Sequence, residues 1–113
     1  MCVLYTERRK ADKSYDKAVS DAVKLMEYIS ENLDTRLTLD ILSEVVNMSR
    51  ASLNRLFHSV LGTSPMEYVL SQRVERAREL LARGGMSKTE IAQSCGFYDS
   101  AHMNKNLHTK EEI

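Results

Sequence analysis

Two cysteines, one proline, four glycines and no net charge mark this 113-residue chain, in which 16 Lys/Arg balance 16 Asp/Glu. Cys2 and Cys95 make neither a disulfide framework nor a metal quartet, so a reducing cytoplasm is the expected setting. No run approaches the ~18 consecutive apolar residues of a membrane span, and the apolar part of MCVLYTERRK is too short for a secretory signal. No stretch alternates with the period of a strand. A Gly-rich phosphate loop, a Gly-x-Ser-x-Gly elbow and a clustered carboxylate pair are all missing. His58, His102, His108 and Cys95 have neither the i, i+4 pairing nor the CxxC spacing of a metal site. These absences point away from an enzyme: no catalytic residue, metal ligand or cofactor is assigned. The length suits one domain or two small subdomains sharing a backbone helix.

The balanced total conceals a gradient. Residues 36–110 hold ten Lys/Arg against seven Asp/Glu, the first 35 hold six against seven, and Glu111 and Glu112 follow. Residues 1–13 are charged and without pattern, an arm or linker stub. From there the chain is helical by periodicity. Tyr15, Ala18, Val19, Ala22, Met26, Ile29 and Leu33 form one stripe at spacings of three and four. Thr38 opens a short helix with Asp40 in its first turn and Leu39, Leu42 and Val46 on its apolar face. Asn47, tolerant of the left-handed conformation, stops it. Ser49 caps a helix with the stripe Leu53, Leu56, Phe57, Val60, Leu61, which Gly62 ends. Ser64-Pro65-Met66-Glu67 is a capping box with proline where it costs no hydrogen bond. The helix it opens runs to about Arg83 with Val69, Ala77, Leu80 and Leu81 as buried positions, and Gly84-Gly85 ends it. A second capping box, Ser87-Lys88-Thr89-Glu90, carries Met86 and Ile91 as a hydrophobic staple. Its helix (Ile91, Ala92, Cys95) breaks at Gly96, and Asp99 caps a last helix bearing Met103 and Leu107.

The helix pairs repeat. Leu42-Ser43 falls on Ile91-Ala92, Asn47 on Gly96 and Met48 on Phe97, 49 residues on. After one extra residue Leu53-Asn54-Arg55 falls on Met103-Asn104-Lys105 and Phe57 on Leu107, 50 residues on. A short helix, a sharp turn and a second helix whose outward face holds Asn beside a cation make a helix-turn-helix, whose second helix enters a DNA major groove. Segments 49–61 and 100–110 contain no Asp or Glu, as a helix pressed between phosphate backbones requires. Arg50, Ala51, Ser52, Asn54, Arg55 and His58 make the reading face of the first unit, with Asn54 and Arg55 able to pair with base edges. Thr38 and Ser49 are candidate phosphate contacts, with plain capping the alternative. Arg73, inside the connecting helix, is better placed for a salt bridge or backbone brace than for DNA. That helix, 65–83, measures about 28 Å at 1.5 Å per residue, short of the ~34 Å between successive major grooves on one DNA face; a bend in the DNA, or one poorly seated helix, would follow.

Ser49-x-x-x-Leu53-x-Arg55-x-Phe57, Gly62-Thr63-Ser64-Pro65-x-x-Tyr68, Arg73-x-x-x-Ala77-x-x-Leu80-Leu81 and Ile91-Ala92-x-x-x-Gly96-Phe97-x-Asp99 together resemble the DNA-binding domain of the arabinose-regulator (AraC/XylS-type) transcription factors over roughly residues 20–108. The resemblance implies an all-α fold of two homeodomain-like helix-turn-helix units, and His102, Asn104 and Lys105 as contacts of the second recognition helix. It also implies double-stranded promoter or operator DNA as partner, a fused sensor or receiver domain, and activation through RNA polymerase in the bacterial cytoplasm. Ser43, Lys88, Ala101, Met103 and Leu107 depart from the family's usual residues, and after His108 the pattern of a seventh helix is not matched. The expected organisation is an arm at 1–13, a first subdomain at 14–62, a linker helix at 63–85 and a second, shortened subdomain at 86–113. A protein-docking module, using an exposed apolar stripe of Tyr5, Tyr98, Met103 and Leu107, is the competing expectation.

Overall fold

The computed structural model describes residues 13–111, with side chains described over 16–107. Its regular elements among these residues are six helices: α1 (Lys13–Glu31), α2 (Leu39–Val45), α3 (Arg50–Leu61), α4 (Pro65–Arg83), α5 (Lys88–Ser94) and α6 (Ser100–Glu111). The fold is all-α, as the periodicity requires. Residues 1–12, including Tyr5, and the side chain of Tyr15 lie outside the described set.

Side-chain oxygens set the helix starts. Thr38, Ser49, Ser64 and Ser87 each accept from the backbone N–H three residues on, in turn that of Ile41, Ser52, Glu67 and Glu90. Both expected capping boxes close, with Glu67 and Glu90 reaching back to the N–H of Ser64 and Ser87. Asn47 (φ 54°) and Gly62 (φ 73°) supply the left-handed turns after α2 and α3.

The buried side chains form two cores. Leu25, Ile29, Leu33, Leu37, Leu42, Leu53, Leu56, Phe57 and Val69 make the first, between α1, α2, α3 and the start of α4. Val74, Ala77, Ile91, Ala92, Cys95, Phe97, Met103 and Leu107 make the second, between the later part of α4 and α5 and α6. Helix α4 therefore serves both, and the Phe57 and Tyr68 rings, 5.8 Å apart and tilted by 59°, tie it to α3. Burial and a lesser influence from Glu75 push the Tyr68 phenol above its ordinary value.

Two assignments of apolar faces change. In α1 the buried line is Ala22, Leu25 and Ile29, continued by Leu33 just past its end, with Val19 and Met26 half-buried at its edges; Leu25, absent from the expected stripe, is wholly buried. In α4, Leu81 is 37% exposed while Leu80 packs on the second core. Neighbouring helical residues point about 100° apart, so a narrow face takes one of them, and Val74 fills the place on it that the sequence reading left empty. Met86, expected as half of a staple, is 38% exposed although Ile91 is buried.

Candidate nucleic-acid interface

The two turns share one hydrogen-bond frame. Leu42 N–H donates to the Thr38 carbonyl at 3.0 Å, Asn47 N–H to Glu44 at 3.2 Å and Met48 N–H to Ser43 at 2.9 Å. Forty-nine residues later, Ile91 donates to Ser87 at 3.0 Å, Gly96 to Gln93 at 3.3 Å and Phe97 to Ala92 at 2.9 Å. Past the inserted residue the offset becomes 50. Leu53 donates to Ser49 and Met103 to Asp99, while the N–H groups of Ser52 and His102 are capped by Ser49 Oγ and Asp99 Oδ1. Helices α3 and α6 thus leave equivalent turns with equivalent caps, each burying the stripe that points its other face outward.

On α3, Leu53, Leu56 and Phe57 are buried, leaving Arg50, Ala51, Arg55 and His58 exposed and Ser52 and Asn54 partly so. These side chains are not equally available. Arg50 donates to Asp40 Oδ1 through Nε (2.7 Å) and Nη2 (2.6 Å), a solvent-exposed ion pair joining α2 to the start of α3. A cation at a helix N-terminus is opposed by the macrodipole, and the carboxylate offsets this. Arg55 Nη2 donates to Ser52 Oγ at 3.2 Å, and the Ser49 hydroxyl donates to the same oxygen at 3.1 Å. This small hydroxyl cluster holds the guanidinium along the helix, at the rim of an open groove of about 530 Å³ that also touches Lys17, Asp21 and Met48. Thr38 and Ser49 both engage as caps, the role weighed against phosphate contact.

On α6, Met103 and Leu107 are buried, His102 and Lys105 exposed and Asn104 intermediate. The His102 ring packs edge-on against Phe97, centroids 5.5 Å apart at 75°. Its Nδ1 accepts from Tyr98 N–H at 3.4 Å, so in the neutral ring the proton sits on Nε2, directed away from that contact. Asn106 Nδ2 donates to the His102 carbonyl at 2.8 Å.

The docking alternative loses its stripe here: Met103 is 0% and Leu107 7% exposed, and of its described members only Tyr98, at 90%, faces solvent. Cys95 is a buried free thiol, its pKa pushed up by burial and drawn back in part by Arg76. Among the described residues no three His, Cys, Asp or Glu side chains are grouped to hold a metal, and no helix is long and apolar enough to cross a membrane.

Sequence reasoning missed the Asp40–Arg50 pair. Ten positions separate them and they lie on two different helices with a turn between, so no helical spacing announces it; the only trace is the acid in the first turn of α2 ahead of an acid-free α3. The backbone-brace reading of Arg73 is what the structure contains: Nε donates to the Leu33 carbonyl at 3.1 Å and Nη2 to that of Thr35 at 2.8 Å.

Against known proteins, a helix-turn-helix domain model matches residues 42–112, more than half of the chain. The HTH-type transcriptional regulator GbdR of Pseudomonas aeruginosa is 42% identical over 87 residues, which cover 77% of this chain and 23% of GbdR. The chain thus spans about a quarter of the length of that relative. A crystal structure of an AraC-type DNA-binding-domain transcriptional regulator from Chromobacterium violaceum superposes with a TM-score of 0.78 at 30% identity, covering 87% of this chain and 88% of that one. The DNA-binding domain of AdpA, crystallised with a target DNA, superposes at 0.74 with 26% identity, covering 78% and 79%. A repeated helix-turn-helix frame, matched in sequence by regulators and in structure by their DNA-binding domains, places this chain in the AraC-type helix-turn-helix family of transcription regulators.

Proposed function

We propose that the chain is the output half of a bacterial transcription regulator and reads duplex DNA with α3 and α6 in successive major grooves. The observation that carries this reading is the shared frame of the two turns, which sets two acid-poor helices on equivalent starts. Residues 14–62 and 86–113 act as the two reading subdomains and 63–85 as their connector. Asn54 and Arg55 contact base edges in the first groove, with Arg50, Ala51, Ser52 and His58 around them; His102, Asn104 and Lys105 serve the second. Thr38 and Ser49 lie close enough to a helix start for backbone amides to meet phosphates. A separate sensor or receiver domain would control the reading, and RNA polymerase would be the protein partner in the cytoplasm. Nothing in this role asks for a cofactor or for catalysis.

In vitro selection from random duplex DNA at low salt tests it. Two enriched half-motifs about one helical turn apart support the reading; one half-motif restricts it to α3; absence of enrichment overturns it. Arg55→Ala should cost about 1–3 kcal/mol on the selected site if Arg55 reads a base.

A further inference from the structure

Gly96 occupies the turn of the second unit at the place Asn47 holds in the first, and both are left-handed, with φ 87° and 54°. Asn47 demonstrates that this turn accepts a side chain. The glycine therefore needs another cause, and its surroundings supply one. A Cβ added at Gly96 would collide with the Leu33 carbonyl oxygen of the first unit and lie 2.7 Å from Arg73 Nε and 3.0 Å from Arg73 Cζ. Three segments meet there: the residues just after α1, the middle of α4 and the turn between α5 and α6. Leu33 and Phe97, which flank the meeting point, belong to the two different cores.

The same contact fixes the chain as it leaves α1. The last turn of α1 has no basic residue, and of its terminal carbonyls those of Tyr28 and Ile29 accept from Asn32, through Nδ2 at 2.8 Å and N–H at 3.1 Å. Helix α4 supplies the donors that follow: Arg76 Nη2 to the Ser30 carbonyl at 3.0 Å, and Arg73 to the carbonyls of Leu33 and Thr35 in the segment beyond the helix. Arg78 Nη2 reaches the other way, to the Leu107 carbonyl at 3.3 Å. Burial opposes the charge of Arg73, and the two carbonyls are what compensates it. A half-buried guanidinium is thus seated on one unit and met by the bare backbone of the other.

Resting on the two-groove reading above, we infer that Arg73 and Gly96 form a keyed joint between the units. These two positioning residues set the separation and angle of α3 and α6, and hence the half-site spacing that the protein accepts on DNA. Neither residue needs to touch DNA for this. The comparison of the two turns predicts which changes matter: Gly96→Asn copies the residue of the first turn but clashes across the joint, whereas Asn47→Gly leaves the joint intact.

The test uses the full chain and duplexes carrying the half-motifs selected by the unaltered protein, with the spacer lengthened or shortened one base pair at a time. A single-half-site duplex serves as control. The unaltered protein and Asn47→Gly should share one sharp spacing optimum. Gly96→Asn, Gly96→Ala and Arg73→Gln should shift or flatten it, with single-half-site affinity changed less than about twofold. Spin labels at Ala51 and Ala101, exposed equivalents on the two helices, in a Cys2→Ser background, report the joint without DNA. A narrow distance distribution in the unaltered protein should broaden or move in the joint variants. Retention of the native optimum and distance by folded Gly96→Ala and Arg73→Gln overturns the inference. A protein that shows no spacing optimum at all, yet has a narrow spin-label distance that the variants broaden, overturns the two-groove reading and leaves the joint standing as a mechanical element.

Discussion

Asp40→Asn removes the carboxylate that holds Arg50 while keeping its size and most of its polarity. Both side chains are well exposed, Arg50 at 62% and Asp40 at 65%, so the pair contributes about 0.2–1 kcal/mol to folding. Loss of the acid from the first turn of α2 adds about 0.3–1 kcal/mol through the macrodipole. The variant should therefore be folded and destabilised by about 1 kcal/mol. Its effect on DNA has the opposite sign. In the native protein a phosphate must displace Asp40 before Arg50 can neutralise it. With Asn at position 40 one more cation is available, and the slope of log affinity against log salt should steepen by about 0.9. Over a fourfold change, from 50 to 200 mM, that amounts to an additional loss of about 3.5-fold. At the low-salt end the variant should bind a few-fold more tightly than the parent. Fluorescence anisotropy with a selected duplex at four or five salt concentrations reads both quantities. Arg50→Ala in each background closes a double-mutant cycle: it should abolish the gain in the Asp40→Asn protein and do little in the parent. An unchanged slope together with weaker binding would refute this reasoning, because it would mean that Asp40 aims Arg50 at the DNA and does not withhold it.

Phe57→Ala empties a wholly buried site and removes the ring that meets Tyr68, so urea unfolding should show a loss of about 3–5 kcal/mol. Ser87→Ala leaves Glu90 N–H without its 3.1 Å acceptor and should cost about 1 kcal/mol, seen as faster amide exchange in α5 than in α3. In a Cys2→Ser background, Cys95 should resist alkylation in the native state and react at once on unfolding. Because burial raises its pKa, the fold favours the neutral thiol. Its contribution to stability is complete below the ordinary thiol pKa and declines as the pH rises through the higher native value. Cys95→Ala should flatten that alkaline decline relative to the parent, and a parallel pair of curves would refute it.

The expected helix starts and stops were legible because they rest on interactions within four residues. A serine or threonine caps the third amide on, a glutamate answers it, and Asn47 or Gly62 turns the chain, all from chemistry that neighbours in sequence carry with them. The repeat was legible for a related reason, since a turn built twice from the same local bonds needs similar residues at the same offsets. The outward face of α3 follows by subtraction, as whatever the Leu53, Leu56 and Phe57 stripe leaves exposed. Periodicity falls short where a helix meets more than one partner. Leu25 and Val74 join the buried faces and Leu81 leaves them because a stripe's centre and width depend on the surface it meets, which periodicity does not specify.

Three features belong to the folded chain alone. Asp40 meets Arg50 only because two helices cross at the turn. The carbonyls of Ser30, Leu33 and Thr35, at and just after the end of α1, find their donors on α4, some forty residues later. Gly96 reads in the sequence as a helix stop like Asn47, and only the arrival of the Leu33 carbonyl and Arg73 at its Cα makes a side chain there intolerable. Local bonds specify each unit, because their free energy is settled within a few residues. Where one unit sits against the other is settled by contacts between atoms that the sequence keeps far apart.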